Sequence, residues 1–143
     1  MEVKIVNIAA HVVNHGANLT VLLKSGGREH SISIPTRPDG SGSLITGGEL
    51  LMMALATCYC NDLYREARKL GLEIGGVDVE VMGEYAGEGQ PLESIRYRAT
   101  AWTSSAKEKV FEVMTHTDTV AEIQNTLRKS AEIALTECVV HET

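Results

Sequence analysis

The stretch TGGELLMMALATCYCNDLYREARKL, residues 46–70, decides how this chain folds. Thr46 and Glu49 have the T-x-x-E spacing of a capping box, which satisfies free amide donors at a helix start. Leu50 to Cys58, LLMMALATC, is apolar on all sides, the pattern of a helix buried on more than one face. The polar NDLYREARKL that follows reads as the same helix emerging toward solvent. Leu70-Gly71 supplies a stop, and Arg68 and Lys69 suit the negative end of the macrodipole. At about 1.5 Å per residue the helix is roughly a 35 Å rod, long for a chain of 143 residues.

That length suggests one domain, 1–143, with room for a core. Apolar residues at 43% and charged residues at 22% are ordinary for a globular protein. The second half of the long helix is too charged to span a bilayer, so no membrane partner is expected. MEVKIVNIAA at the N-terminus lacks the basic, apolar and cleavage segments of a secretion signal, and the expected location is cytoplasmic. Three cysteines, an odd number, argue against a disulfide framework and fit a reducing compartment. A net charge of −6 and no basic run make nucleic acid an unsuitable partner. No cofactor is expected.

Outward from the helix, residues 2–13, 19–24 and 28–34 read as three strands, with turns at His15–Asn18 and Ser25-Gly26-Gly27. In the third, Ile32 and Ile34 point inward and Ser31 and Ser33 outward. PTRPDGSG, residues 35–42, is the longest loop and a candidate lid or pocket rim. After the helix, VDVEVMGEY alternates at Val77, Val79 and Val81. LESIRYRATAWT, residues 92–103, alternates at Ile95, Tyr97, Ala99 and Ala101. SSAKEKVFEVMTHT has helical spacing, and residues 117–129 read as another helix with Val120, Ile123 and Leu127 on one face. SAEIALTECVV reads as a closing strand.

The order β-β-β-α-β-β-α-α-β is an α+β pattern. One three-strand meander cannot wrap both sides of a helix that is apolar all round, so a homodimer is expected, with a second copy covering the other side; a larger sheet within one chain would serve the same need.

Over nearly its whole length the sequence resembles the OsmC/Ohr family of osmotically inducible and organic-hydroperoxide-resistance proteins. The family's helix start has the form N-P-E-[EQ]-L-L followed by A-x-x-A-C; here these are T-G-G-E-L-L and A-L-A-T-C, ending at Cys58. The resemblance implies an intertwined homodimer with paired interface sites. It also implies peroxide reduction by a reactive cysteine on this helix, with an Arg and a Glu around the thiolate and a resolving cysteine on a later helix. The chain departs from that pattern in three places. The resolving cysteine's C-P-x-S segment corresponds to Ala121-Glu122-Ile123-Gln124. The catalytic Glu falls at Gly48, one place before Glu49, which the capping box already explains. The activating Arg comes from the early strands, where Arg28 and Arg37 are available.

Cys58 needs a lowered pKa to act, because the thiolate is the nucleophile, and it lies too far inside the helix for the end dipole to help. Its plain alternative is an inert, space-filling thiol. Cys60 points roughly 200° away and cannot pair with Cys58 without unwinding the helix. Cys138, in the last expected strand, could resolve Cys58 only if the fold brings that strand near. Asp62 and Arg65 share a face with Cys58, as a solvated i,i+3 ion pair or as a polar wall of the pocket. Glu122, Gln124 and Asn125 are either an exposed face or the border of the site. The five histidines show no metal spacing, and Cys138-x-x-His141 is a weak match, so no metal is expected.

Two functions follow. One is a cysteine-based peroxidase using Cys58, with Arg37, Arg28 and Glu49 as candidate partners and an external thiol as reductant. The other is a non-catalytic dimer binding a small, partly apolar ligand against Leu51, Met52 and Leu55, with Asp62 and Glu122 beside them.

Overall fold

The computed structural model describes residues 4–141. The chain divides into two compact units, Met1–Leu50 and Leu51–Thr143, and the long helix begins in the first and continues through the second.

The first unit is an antiparallel meander of β1 (Ile8–His15), β2 (Asn18–Ser25) and β3 (Arg28–Ile32), in the order β1-β2-β3. Ser25 pairs with Arg28 across Gly26 and Gly27, both at positive φ (55° and 84°), the backbone a two-residue hairpin of type I′ demands. β3 ends two residues short of the expected Ile34, and its residues, Ile32 included, are exposed rather than alternately buried. Pro35, which lacks an amide donor, cannot extend the ladder. The loop that follows is pinned to β1. Asn14 Nδ2 donates to Gly40 O at 3.0 Å, and Gly42 N donates to Asn14 Oδ1 at 2.7 Å. Asp39 closes an Asx turn by accepting from Ser41 N at 2.9 Å.

Helix α1 (Gly47–Lys69) starts at the capping box in full. Glu49 N donates to Thr46 Oγ1 at 3.1 Å, and Thr46 N and Oγ1 donate back to Glu49 Oε1 at 3.3 and 3.0 Å. At the other end, Gly71 takes φ 68° and Leu72 N donates to Ala67 O at 2.9 Å.

In the second unit, β4 (Gly76–Tyr85) and β5 (Leu92–Trp102) form an antiparallel pair, with a register shift between Met82 and Glu84. The intervening Gly83 is closely packed: a Cβ there would come within 3.0 Å of the Leu92 side chain, which would have to give way. Val77, Val79, Tyr97, Ala99 and Ala101 pack on a core of Tyr59, Leu63 and Val113. The Tyr59 and Tyr97 rings meet edge to face at 5.3 Å, and Tyr59 Oη donates to Met114 O at 2.8 Å. Helices α2 (Lys107–Val120) and α3 (Glu122–Arg128) are divided at Ala121, which is fully buried and extended (φ −71°, ψ 115°). The break therefore falls inside the span expected to be one helix, 117–129. Gln124, not Leu127, is the buried side chain of α3.

Two expectations are corrected. The buried side chains of α1 are Leu55, Tyr59, Asp62, Leu63, Glu66 and Ala67, one stripe that runs into the polar half. The polar half does not simply emerge into solvent, and within one chain Met53 of the apolar half is 54% exposed. A two-stranded sheet and two short helices cover one side of a helix and no more. The closing strand is also absent: among the described residues, 131–141 form no strand, and Ile133 and Val140 are 95% and 90% exposed. Strand propensity at these positions does not by itself supply the neighbouring edge a strand needs.

Candidate functional site

Cys58, Asp62 and Arg65 occupy successive turns of α1, and Glu122 joins them from the first turn of α3. The Cys58 Sγ lies 3.5 Å from Asp62 Oδ2 and 3.6 Å from Glu122 Oε2. The remaining oxygens of the two carboxylates turn to one guanidinium nitrogen. Arg65 Nη1 is 3.1 Å from Asp62 Oδ1 and 2.8 Å from Glu122 Oε1. Thiol and guanidinium thus face each other across two carboxylates.

A second layer fixes Arg65. Its Nε donates to Glu66 Oε2 at 2.9 Å, and the same oxygen accepts from Lys69 Nζ at 2.9 Å. Glu66 Oε1 lies 3.2 Å from His116 Nε2 on α2. Glu66 is buried, and Lys69 first and then Arg65 hold its carboxyl down to about 2.

The cluster holds three carboxylates against the two fixed cations Arg65 and Lys69, so the acids compete for charge. Burial first, and then Glu122, push Asp62 up to about 6, against a downward pull from Arg65. The hydrogen bond with Asp62, and then Arg65, hold Glu122 down to about 2. Of the two carboxyls, Asp62 is the one that takes up a proton first as the pH falls. Burial, and then the negative charge of Asp62 and Glu122, also raise the Cys58 thiol above its ordinary value, while the backbone amide of Ile123 opposes them. The thiol is therefore protonated at neutral pH, with a carboxylate positioned to take its proton.

Cys58 Sγ, Asp62 and Glu122 present three ligand atoms within 4.8 Å of one another. The cation in that donor set is the Arg65 guanidinium, and a metal ion would have to displace it.

Of the residues expected at a site, the structure brings Cys58, Asp62 and Glu122 together. The expected i,i+3 ion pair of Asp62 with Arg65 forms, but it is not a solvated one, since Asp62 is 7% exposed. Leu55 lines a separate apolar cavity of about 110 Å³ with Ile95, Tyr97, Gln124, Leu127 and Arg128. Leu51 is half-buried. Arg28, Arg37 and Glu49 belong to the first unit. Arg28 opens β3, Arg37 Nε donates to Ser43 O at 3.3 Å, and Glu49 accepts the capping bonds. Cys60 lines a shallow groove of about 260 Å³ with Ala56, Thr57, Asn61, Val77 and Val79, and Cys138 is an exposed free thiol. Glu66, Lys69 and His116 were not expected at a site. The i,i+3 spacing of Glu66 and Lys69 is a visible signal, whereas the return of α2 beside them is not.

Among the described residues, no helix is long and apolar enough to cross a membrane. No curated protein matches the chain. Among solved structures it is similar to an OsmC-like protein from Mycoplasma pneumoniae, with 16% identity, TM-score 0.63 and 89% of each chain covered. An OsmC-like hydroperoxide resistance protein from Jannaschia sp. CCS1 is 13% identical, with TM-score 0.53 and coverage of 96% of this chain and 95% of that one. An organic hydroperoxide resistance protein from Elizabethkingia anophelis is 18% identical, with TM-score 0.52 and coverage of 90% and 91%. These likenesses carry the α+β fold. The sequence model for OsmC-like proteins matches residues 40–136, the span that holds α1, the β4–β5 pair and the whole Cys58 cluster, and the chain belongs to the OsmC-like protein family.

Proposed function

We propose that this protein is a thiol-based redox enzyme that reduces organic hydroperoxides at Cys58 and draws its electrons from an external small thiol. The observation that carries the reading is the 3.5 Å approach of Cys58 Sγ to Asp62, a buried carboxyl with its pKa raised to about 6. A base is most effective when its pKa lies near the working pH. Two of the similar structures are named as hydroperoxide resistance proteins, which agrees with this chemistry.

In the reaction, Asp62 takes the thiol proton as Sγ attacks the terminal oxygen of R–O–OH. The S–O bond forms, the O–O bond breaks, and Asp62 hands the proton to the departing alkoxide. The products are a sulfenic acid at Cys58 and the alcohol R–OH. One external thiol then displaces water to give a mixed disulfide. A second attacks it, regenerating Cys58–SH and releasing the external disulfide. The external thiol fits the resemblance, in which Ala121 stands where the family carries its resolving cysteine. Free cysteines at 58, 60 and 138 suit a reducing, cytoplasmic setting.

The enzyme acts as a homodimer in this reading. Met53 on α1 and Ile8, Val12 and Val13 on β1 are exposed apolar side chains of the kind a second copy would cover.

A second reading is favoured by the acids beside Cys58, which disfavour a standing thiolate, and by the apolar cavity at Leu55. It is a non-catalytic dimer that binds a small, partly apolar ligand. Exposure to an organic hydroperoxide, with mass spectrometry of the Cys58 peptide, separates the two. Oxidation of Cys58 faster than free cysteine supports the enzyme, and oxidation no faster supports the binding protein.

A further inference from the structure

Glu122 is the one carboxylate of the cluster that does not come from α1. Its place is fixed from both sides of the Ala121 break. Asn125 Nδ2 donates to Thr119 O of α2 at 3.0 Å, and Gln124 Nε2 donates to Leu55 O at 3.0 Å, tying α3 onto α1. The carboxylate so delivered reaches Arg65 Nη1 with one oxygen and Cys58 Sγ with the other. Nothing in the helical packing asks for this, because the Glu122 side chain is 60% exposed. Its contacts are with the thiol and the cluster's charges.

The charge balance shows what Glu122 changes. Cys58 is faced from α1 by Asp62, with Arg65, Glu66 and Lys69 behind it. From α3 it is faced by Glu122 and the Ile123 amide, and from α2 His116 reaches the cluster through Glu66. With Glu122 present, three carboxylates oppose Arg65 and Lys69. Without its charge, two carboxylates oppose two cations, and Arg65 is left with Asp62 and Glu66.

We infer that Glu122 is a positioning residue that keeps the Cys58 thiol protonated by neutralising Arg65, and that Arg65 is the latent activating cation of this site. The cation that stabilises a thiolate here is seven residues along the same helix, held by an acid on α3. The inference rests on Cys58 being the reacting group, and it assigns Asp62 and Glu122 different tasks. Asp62 exchanges the proton, while Glu122 sets how readily the thiol gives it up.

The test is the pH dependence of Cys58 alkylation by iodoacetamide, read on the Cys58 peptide by mass spectrometry, for the full-length protein and its Glu122→Gln variant. Removing a negative charge this close lowers the midpoint by about one pH unit. A thiolate of lower pKa is a weaker nucleophile, so the gain at neutral pH is about three- to tenfold. Adding Arg65→Gln to Glu122→Gln returns the midpoint toward the wild-type value. A midpoint that Glu122→Gln leaves in place or raises overturns the inference. A lowered midpoint that persists without Arg65 overturns the role given to Arg65. Iodoacetamide requires no peroxide chemistry. A shifted profile in a protein that hydroperoxides fail to oxidise would sink the redox reading alone, and an unshifted profile in an active peroxidase would sink this inference alone.

Discussion

Cys58 Sγ and Asp62 Oδ2 stand 3.5 Å apart, one turn of α1 from each other, and Asp62 is buried. An acid beside a thiol has two opposite effects. Its charge disfavours the thiolate, and its lone pair offers the thiol proton somewhere to go. Asp62→Asn separates them. The variant is expected to have a lower Cys58 midpoint in iodoacetamide alkylation, because the repelling charge is gone. It is also expected to oxidise more slowly with an organic hydroperoxide, by roughly the hundredfold that general-base assistance contributes. Stopped-flow oxidation and alkylation rates on the same preparation would show the two moving in opposite directions.

Glu66 anchors Arg65 and Lys69, and its carboxyl is held down to about 2 from an ordinary 4.5. A carboxyl whose pKa is depressed by folding contributes stability that is present above its unfolded value and lost as the pH falls toward its folded one. Wild-type stability is therefore expected to fall from pH ~4.5 toward ~2, and Glu66→Gln to flatten that dependence while lowering stability at neutral pH. Urea midpoints taken across this range would check it.

Leu63 has no exposed surface and sits in the core with Tyr59 and Val113. Leu63→Ala leaves a cavity that the rings of Tyr59 and Tyr97, whose hydroxyls donate to Met114 O and to the Asp118 carboxylate, are poorly placed to fill. The expected loss is roughly 2–5 kcal/mol in urea unfolding.

Met53 is 54% exposed on the side of α1 away from its buried stripe. In the proposed homodimer that side is covered. Sedimentation equilibrium is expected to give the mass of two chains for the wild type and to shift toward one chain for Met53→Glu. A wild-type protein sedimenting as one chain would remove the dimer from the account.

What the sequence revealed follows the range over which each feature is determined. The ends of α1 were legible to within a residue because Thr46, Glu49 and Gly71 act on their immediate neighbours. The alternation of Val77, Val79, Tyr97 and Ala99 was legible because it reports which face of β4 and β5 is covered. The strand expected near Cys138 was not, since a strand needs a neighbouring edge that propensity does not supply. Asp62 is the most informative case. On its own helix it is a polar residue three places before an arginine, and the pattern suggests solvent. Its raised pKa owes part of its shift to Glu122, sixty residues further along. Spacing on α1 could mark Cys58, Asp62 and Arg65 as one face without showing what closes over it.

The most direct test of the account is the rate at which an organic hydroperoxide oxidises Cys58, with Cys58→Ser as control and mass spectrometry to locate the product. The account predicts a sulfenic acid at Cys58, formed faster than on free cysteine at the same pH even though Cys58 alkylates more slowly than free cysteine. Oxidation no faster than free cysteine would contradict it and make Cys58 a structural thiol in a binding protein.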